Sequence, residues 1–157
     1  MASRPPGSGS KANGARTSQS TQPGLTVAVT GPTGTFGFGL MPLLEADDRI
    51  EAVVGVARRP FDPAAHHWTN MAYRRGDVRD ASALEEAFGG ADVVVHLAFM
   101  ITGSASREAI RAINVDGTRH LLEAALAAGV SRVVHCSTGG VHGHIAHPPA
   151  NEDAPFN

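Results

Sequence analysis

Residues 25–37 read LTVAVTGPTGTFG and join a short β-branched run to a turn that contains three glycines. The run Leu25–Thr30 is nearly all apolar, which is typical of a strand buried on both faces of a parallel sheet. In such turns one glycine permits the bend, one lets the main chain approach a pyrophosphate, and one lets the helix pack on the strand. Gly31, Gly34 and Gly37 therefore predict a dinucleotide-binding turn between a first strand and a first helix. An ordinary structural turn is the alternative.

The same alternation of strand and helix continues through most of the chain. Short apolar runs predict further strands at residues 52–57 (AVVGVA), 71–75, 92–97 (DVVVHL) and 130–136 (VSRVVHC), and helical spacing predicts helices at residues 34–46, 82–88 and 104–128. We expect Asp80 or Ser82 to cap the second helix, Gly129 to end the third, and Pro42 to remove one hydrogen bond from the first. This order predicts an α/β fold with a parallel sheet covered on both faces.

Composition restricts the classes of function. The 157 residues carry 13 basic and 15 acidic side chains, and this formal net charge of −2 gives no general reason to expect nucleic-acid binding. The single cysteine excludes a disulfide framework, and no apolar run reaches the length of about 18 residues that a membrane span needs. We therefore expect a cytoplasmic protein without nucleic-acid or membrane partners.

The first 24 residues differ in composition from the rest of the chain. They contain no Leu, Ile, Val or Phe, and their three charged side chains, Arg4, Lys11 and Arg16, are all basic. Such a segment cannot bury enough apolar surface to offset the entropy of ordering it, so we predict a disordered tail at residues 1–24. A transit peptide is the alternative, whereas the lack of an apolar stretch argues against a secretory signal.

Five motifs and a short sixth one follow one another along residues 30–143. They are TGPTGTFG at 30–37, RGDVRD at 75–80, ADVVVHLA at 91–98, NVDGTRHLLEAA at 114–125, GVSRVVHCST at 129–138 and VHG at 141–143. In this order the chain resembles the N-terminal part of the extended short-chain dehydrogenase/reductase family, also called NAD-dependent epimerases/dehydratases. The resemblance implies a Rossmann-type doubly wound sheet of about five strands in the order 3-2-1-4-5, incomplete at the C-terminus. It also implies hydride transfer between NAD(P) and a sugar nucleotide or a small carbonyl or alcohol substrate.

The resemblance also implies which residues bind the cofactor. Asp77 would accept a hydrogen bond from the adenine amino group, Val78 would lie against the ring, and Asn114 would tie its helix to the neighbouring strand. The full set that the resemblance implies for the cofactor is Gly31, Thr33, Gly34, Thr35, Phe36, Gly37, Arg58, Asp77, Val78, Leu97, Ala98, Asn114 and Ser137. Phe99 stands where many members have a small residue.

Thr138 is the candidate catalytic residue. By resemblance its hydroxyl would hydrogen-bond the substrate oxygen that takes part in hydride chemistry. The alternative is that Thr138 caps the local backbone at the start of a loop, which is common for threonine.

The end of the second strand indicates which dinucleotide is preferred. The family's NAD-binding members have an acidic residue there, whereas this chain has Arg58 and Arg59. An arginine can bind the 2′-phosphate of NADP with two hydrogen bonds, so we expect NADP rather than NAD. Two alternatives stay open: the arginines are only solvated, or Asp62 binds the ribose and restores NAD.

The family's proton-transfer pair is missing from this chain. A tyrosine is expected about 25 residues after Thr138, with a lysine four residues later, but the only tyrosine is Tyr73 and the only lysine is Lys11. We therefore expect residues 25–157 to be a dinucleotide-binding domain truncated before the catalytic segment, and not competent alone. The alternatives are a non-catalytic, dinucleotide-responsive regulatory protein, or a fragment that self-associates through the helix Ser104–Ala128.

Histidine and cysteine residues give no strong metal signal. His142, His144 and His147 form H-x-H-x-x-H, which could ligate zinc, but no further ligand pattern supports it, and we predict no metal site. His96 and His135 lie within predicted strands and are expected to be packed polar residues. Cys136 is expected to end a buried strand without any reactive role.

Overall fold

The computed structural model describes residues 23–101, 105–143 and 151–156, so the predicted tail lies outside the described residues apart from its last two. Within these residues five strands form one parallel sheet, in the order β3-β2-β1-β4-β5. The strands are β1 (Leu25–Thr30), β2 (Ile50–Ala57), β3 (Met71–Arg75), β4 (Val93–His96) and β5 (Arg132–His135). The predicted Rossmann-type sheet and its strand order are confirmed.

Helices lie between the strands, as predicted, with one local difference. Their bounds are α1 (Thr35–Glu45), α2 (Ala81–Phe88), α3 (Arg107–Arg111) and α4 (Gly117–Ala127). A π-helical segment, Ala112–Asp116, joins α3 to α4, so the helix predicted over Ser104–Ala128 is not a uniform α-helix. It begins at Arg107, where the Ser106 hydroxyl accepts a hydrogen bond from the Ala109 amide and caps the end; Ser104 lies outside the described residues.

The helix ends follow the predicted signals. Asp80 caps α2, because its carboxylate accepts hydrogen bonds from the amides of Ser82 at 3.1 Å and Ala83 at 3.2 Å. Gly129 follows α4 with a φ of +71°, the left-handed conformation that commonly ends a helix. Pro42 lies inside α1, which continues to Glu45 although Pro42 has no N–H to donate.

Two apolar layers cover the centre of the sheet. On one face α2 and α4 contribute Leu84, Phe88 and Leu121, which are fully buried with Val94 of β4. On the other face Met41 of α1 packs against a second cluster. Burying one large apolar side chain stabilises a fold by about 1.5–3 kcal/mol, so these clusters fix the positions of the strand ends above them.

The fifth strand does not fit the prediction of a sheet covered on both faces. Arg132, Val134 and His135 are exposed, and 47% of Val134 is accessible. The expectation that His135 is packed was wrong, as was the expectation that Cys136 ends a buried strand, because Cys136 is also exposed. The physical reason is that, among the described residues, β5 pairs only with β4 and lies at the edge of the sheet.

Candidate functional site: a cleft at the strand ends

A cleft of about 410 Å³ opens at the carboxyl ends of β1, β2 and β4. In the observed strand order, the connection from β1 goes to β2 on one side and the connection from β4 goes to β5 on the other, so the cleft lies at the point where ligands bind in open α/β sheets. The residues that line it are Gly31, Thr33, Gly34, Val56, Ala57, Arg58, Arg59, Gly76, Asp77, Val78, Leu97, Ala98, Phe99, Met100, Ile101 and Ile113.

Each of the three glycines in the turn occupies a position that favours glycine for a different structural reason. Gly31 has a φ of +76°, and a Cβ there would lie 2.9 Å from the Ala98 amide nitrogen. Gly37 is buried under the turn, where a Cβ would overlap the Gly31 carbonyl oxygen and lie 2.6 Å from Pro32 Cα. Gly34 is exposed at the cleft and has only the Gly31 carbonyl oxygen near its would-be Cβ, at 3.4 Å. The turn thus combines a bend with positive φ at Gly31, a tight contact at Gly37 and an open approach at Gly34.

The first turn of α1 begins next to Gly34, which lines this cleft. Gly34 is the N-cap residue, and no side chain caps the helix there. The amides of Thr35, Phe36 and Gly37 are the first N–H groups of the helix, which have no partner within it. Because no Cβ shields Gly34, an anion can approach these donors closely. The turn therefore fits a pyrophosphate without any change of residue.

Asp77 and Val78 lie at the side of the cleft. Arg79 donates hydrogen bonds to both carboxylate oxygens of Asp77, at 3.0 and 2.7 Å, and this pairing holds the pKa of Asp77 below its ordinary value, with a smaller effect from the Arg58 charge. A carboxylate has about four acceptor positions, so Asp77 can still accept from an amino group. Val78 is only 7% exposed, and a Cβ on Gly117 would lie 2.6 Å from its Cγ2.

The arginines after β2 lie at the rim. Arg58 and Arg59 are exposed and both line the cleft. Asp62, the alternative ribose partner, is not among the lining residues. Its carboxylate accepts a hydrogen bond at 3.0 Å from the amide of Ala64, the first residue of a 3₁₀ turn, Ala64–His66. Arg58 and Arg59, and not Asp62, therefore line this rim.

A buried hydrogen-bonded chain supports the floor of the cleft. His96 is 1% exposed, with Nδ1 2.7 Å from the Thr30 hydroxyl and Nε2 3.0 Å from the Thr118 hydroxyl. Thr118 donates its one proton to the Asn114 carbonyl oxygen, so Nε2 must donate to Thr118. Nδ1 then accepts from Thr30, whose oxygen also receives the Ala98 amide at 3.4 Å. His96 is thus neutral, and its burial, with a smaller effect from nearby His135, lowers its pKa to about 4.

Asn114 holds the wall of the cleft without lining it. Its Oδ1 accepts from the Met100 amide at 2.8 Å, and its Nδ2 donates to the Met100 carbonyl oxygen at 2.9 Å. The side chain therefore ties the π-helical segment to the loop after β4, whereas the resemblance implied a tie to the neighbouring strand itself. Segments of π-helix inside α-helices occur frequently at functional sites.

Ser137 and Thr138 lie in a second hollow, which shares no lining residue with the main cleft. This hollow is lined by Ser137, Thr138, Gly139, Val141, His142 and Phe156. The Thr138 hydroxyl accepts a hydrogen bond from the Gly140 amide at 3.2 Å and caps a 3₁₀ turn, Gly139–His142. The local capping role weighed for Thr138 is therefore present, and its hydroxyl proton is still available to a ligand.

The predicted cofactor residues divide into two groups. Gly31, Thr33, Gly34, Arg58, Asp77, Val78, Leu97 and Ala98 line the main cleft. Thr35, Phe36, Gly37, Asn114 and Ser137 do not line it, and of these only Ser137 lies in a separate hollow.

Sequence reasoning missed several lining residues. They are Val56, Ala57, Gly76, Met100, Ile101 and Ile113. The run Phe99-Met100-Ile101 is the clearest signal, because it places three large apolar residues together in the loop after β4. Phe99 and Ile101 remain 54% and 75% exposed.

Neither a metal-binding cluster nor a membrane-spanning helix occurs among the described residues. Across residues 23–101, 105–143 and 151–156, no group of three His, Cys, Asp or Glu side chains is placed to hold a metal ion. His144 and His147 of the histidine motif lie outside those residues. Within the same ranges, no helix has the length and apolar character needed to cross a membrane.

The part of the sequence that forms the cleft is similar to known proteins. The sequence pattern of the NAD dependent epimerase/dehydratase family matches residues 27–157. The L-arabinose 1-dehydrogenase (NAD(P)(+)) of Haloferax volcanii is 36% identical over 116 residues, which are 74% of this chain and 42% of that protein. This chain therefore spans about two fifths of that relative's length.

Solved structures agree with the sequence match. A short-chain dehydrogenase/reductase superfamily protein of Agrobacterium tumefaciens with bound NAD has a TM-score of 0.71 at 36% identity, covering 84% of this chain and 39% of that one. The dTDP-glucose 4,6-dehydratase DesIV of Streptomyces venezuelae, solved with NAD and TYD, has a TM-score of 0.70 at 28% identity, covering 85% and 45%. With its five-stranded sheet and glycine-lined cleft, this chain belongs to the NAD dependent epimerase/dehydratase family.

Proposed function

We propose that residues 25–157 form the NAD(P)-binding domain of an epimerase, dehydratase or reductase that transfers hydride to or from a sugar nucleotide or a small carbonyl or alcohol substrate. The observation that carries this proposal is the turn at Gly31 and Gly34, which leaves the N-terminus of α1 uncapped at the cleft. A pyrophosphate would satisfy those main-chain donors. A bound NAD(P) would supply the hydride donor or acceptor, which no side chain can provide.

The residues of the chain would bind and orient the dinucleotide along the cleft. Asp77 would accept from the adenine amino group, and Val78 would pack on the ring. Leu97 and Ala98 would lie beside the nicotinamide half, on the floor that His96 fixes through Thr30. Ser137 would bind at the nicotinamide end, and Thr138 would donate to the substrate oxygen from the second hollow.

We assign NADP as the preferred cofactor. Arg58 and Arg59 line the rim, whereas Asp62 is engaged in its own turn. Guanidinium groups attract the two negative charges of a 2′-phosphate and form charge-assisted hydrogen bonds with it.

Fluorescence titration with NADPH and NADH tests the cofactor assignment. We expect nicotinamide emission to change on binding of both, with tighter binding of NADPH. Arg58→Ala should reduce that preference about tenfold, since charge-assisted hydrogen bonds contribute about 1.5–3 kcal/mol each. Arg74→Gln is the matched control, because Arg74 is an exposed arginine outside the cleft lining. No response to either dinucleotide at millimolar concentration would refute dinucleotide binding.

We further propose that this chain alone does not turn over substrate. The only tyrosine, Tyr73, directs its hydroxyl to the main-chain carbonyl oxygens of Ala57 and Arg59, so it is not positioned as an acid or base for the second hollow. Steady consumption of NADPH by the purified chain with a sugar nucleotide or a small carbonyl compound would contradict this. Dinucleotide binding that changes the assembly state would instead favour a regulatory protein.

We also propose that the chain self-associates through α4 and that it is cytoplasmic. Leu122 and Leu126 of α4 are 50% and 83% exposed, and an apolar helix face of this kind favours contact with a second copy. Light scattering that detects dimers or larger species would support it, and a monodisperse monomer would contradict it.

A further inference from the structure

Side chains from β3 hold the main chain at the exit of β2. The Tyr73 hydroxyl lies 2.8 Å from the Ala57 carbonyl oxygen and also contacts the Arg59 carbonyl oxygen, so its one proton is shared between them. Arg75 donates from Nε to the carbonyl oxygen between these two, that of Arg58, at 3.0 Å. Three successive carbonyl groups are therefore held by two side chains of the neighbouring strand.

These hydrogen bonds are made to the main chain that carries the two arginines of the rim. β2 ends at Ala57, and Arg58 and Arg59 are the first residues after it. An exposed loop with free carbonyl groups would sample several conformations, and fixing one residue's backbone costs about 1–2 kcal/mol. Because the Tyr73 and Arg75 contacts restrict these residues before a ligand arrives, the main chain that carries Arg58 starts from a limited set of conformations.

The phenol ring itself is held by aromatic neighbours. Phe61 contacts Tyr73 edge-on, with ring centroids 5.6 Å apart, and stacks on His66 at 5.1 Å with an interplanar angle of 3°. Trp68, which is 7% exposed, lies 5.4 Å from Phe61. This cluster continues along the loop from β2 to β3, so the hydroxyl has a defined position.

We propose that Tyr73, together with Arg75, is a positioning residue for cofactor choice: it holds the Ala57–Arg59 main chain so that Arg58 is presented to a 2′-phosphate. This proposal rests on the proposed binding of NADP. A merely structural tyrosine would affect the binding of both dinucleotides equally, since they differ only in that phosphate. The diagnostic quantity is therefore the ratio of the dissociation constants of NADH and NADPH.

The test compares Tyr73→Phe, Arg75→Gln and Arg74→Gln with the unchanged chain. Tyr73→Phe keeps the ring in its cluster and removes only the hydroxyl. Arg75→Gln removes the second contact, and Arg74→Gln removes the same charge one residue earlier on β3, where no side-chain hydrogen bond to the loop is seen among the described residues. Thermal melts of each variant establish that it is folded before binding is measured.

We expect Tyr73→Phe to weaken NADPH binding about three- to tenfold, the range of one net hydrogen bond, and to change NADH binding less than about twofold. Arg75→Gln should act in the same direction, and Arg74→Gln should leave the ratio unchanged.

An equal loss for both dinucleotides, or no change in Tyr73→Phe and Arg75→Gln, would overturn the positioning role. The proposed function would stand in that case if Arg58→Ala still lowered the ratio. If the unchanged chain binds neither dinucleotide, or if Arg58→Ala has no effect on the ratio, the NADP assignment itself fails.

Discussion

The buried ring of His96 makes the stability of this fold sensitive to mild acid. His96 is neutral in the folded chain, because Nε2 donates to Thr118 and Nδ1 accepts from Thr30. A second proton on Nδ1 would turn it into a donor that faces Thr30, whose oxygen already receives the Ala98 amide. The Thr30 hydroxyl would then have to turn its own proton away, inside a site with almost no access to water.

The magnitude follows from the difference in pKa between the folded and the unfolded chain. The pKa of His96 is about 4 when folded and about 6.5 when unfolded. Between these values the unfolded chain binds more protons, so the free energy of unfolding falls as the pH falls through this window. At about pH 4.5 the loss from His96 alone is about 2.5 kcal/mol, and below about pH 3 this group adds almost no further loss.

Urea unfolding measured at several pH values between about 7.5 and 4.5 tests this, with His96→Gln as the comparison. Glutamine offers a donor and an acceptor but does not titrate, so the difference between the two curves isolates His96 from the carboxylates that both proteins share. His135→Gln is a second comparison: its exposed ring lies 5.1 Å from His96 and has only the smaller effect on the His96 pKa, so most of the pH dependence should remain in this variant. The reasoning is refuted if the wild-type and His96→Gln curves stay parallel over this range.

Three further changes have defined outcomes. Gly37→Ala should lower the melting temperature and abolish dinucleotide binding, because its Cβ would overlap the Gly31 carbonyl oxygen in main chain that cannot give way; retained binding would contradict this. Asp80→Ala should cost about 1 kcal/mol of unfolding free energy through the lost cap of α2, while an unchanged urea midpoint would argue against the cap. Burial raises the pKa of Tyr73 above 10, so the tyrosinate absorbance of this single tyrosine should appear only at higher pH than in a free peptide, and titration at the ordinary value would refute its buried contact.

The central fold could be predicted because local signals and tertiary structure agree there. The β-branched run before Gly31 can be buried on both faces, and the observed β1 is buried over its last four residues. The strand predicted at 71–75 has the observed bounds of β3, and Asp80 caps α2 as expected. In these segments, short-range propensity and burial favour the same conformation.

The outer elements could not be predicted in the same way. The segment around β5 is apolar in sequence, but its exposure depends on which neighbours pack against it, and sequence periodicity does not contain that information. The π-helical segment around Asn114 also escaped prediction, because its hydrogen-bond register is set by the contact with Met100 rather than by propensity.

The site was predictable where residue type alone decides the geometry. The turn at Gly31 requires a positive φ and a close contact with Ala98, which only glycine satisfies, so its pattern is visible in the sequence. The Tyr73 and Arg75 contacts join β3 to the exit of β2, and nothing in the sequence indicates that the side chains reach those carbonyl groups.

Amide ¹H–¹⁵N spectra of this 16.3 kDa chain, recorded during addition of NADPH, test most directly that the cleft at the strand ends holds a dinucleotide. We predict that the largest shifts fall on the amides of residues 31–37, on Asp77 and on Leu97 and Ala98. Shifts confined to the second hollow around Val141, or no shifts at millimolar NADPH, would contradict it.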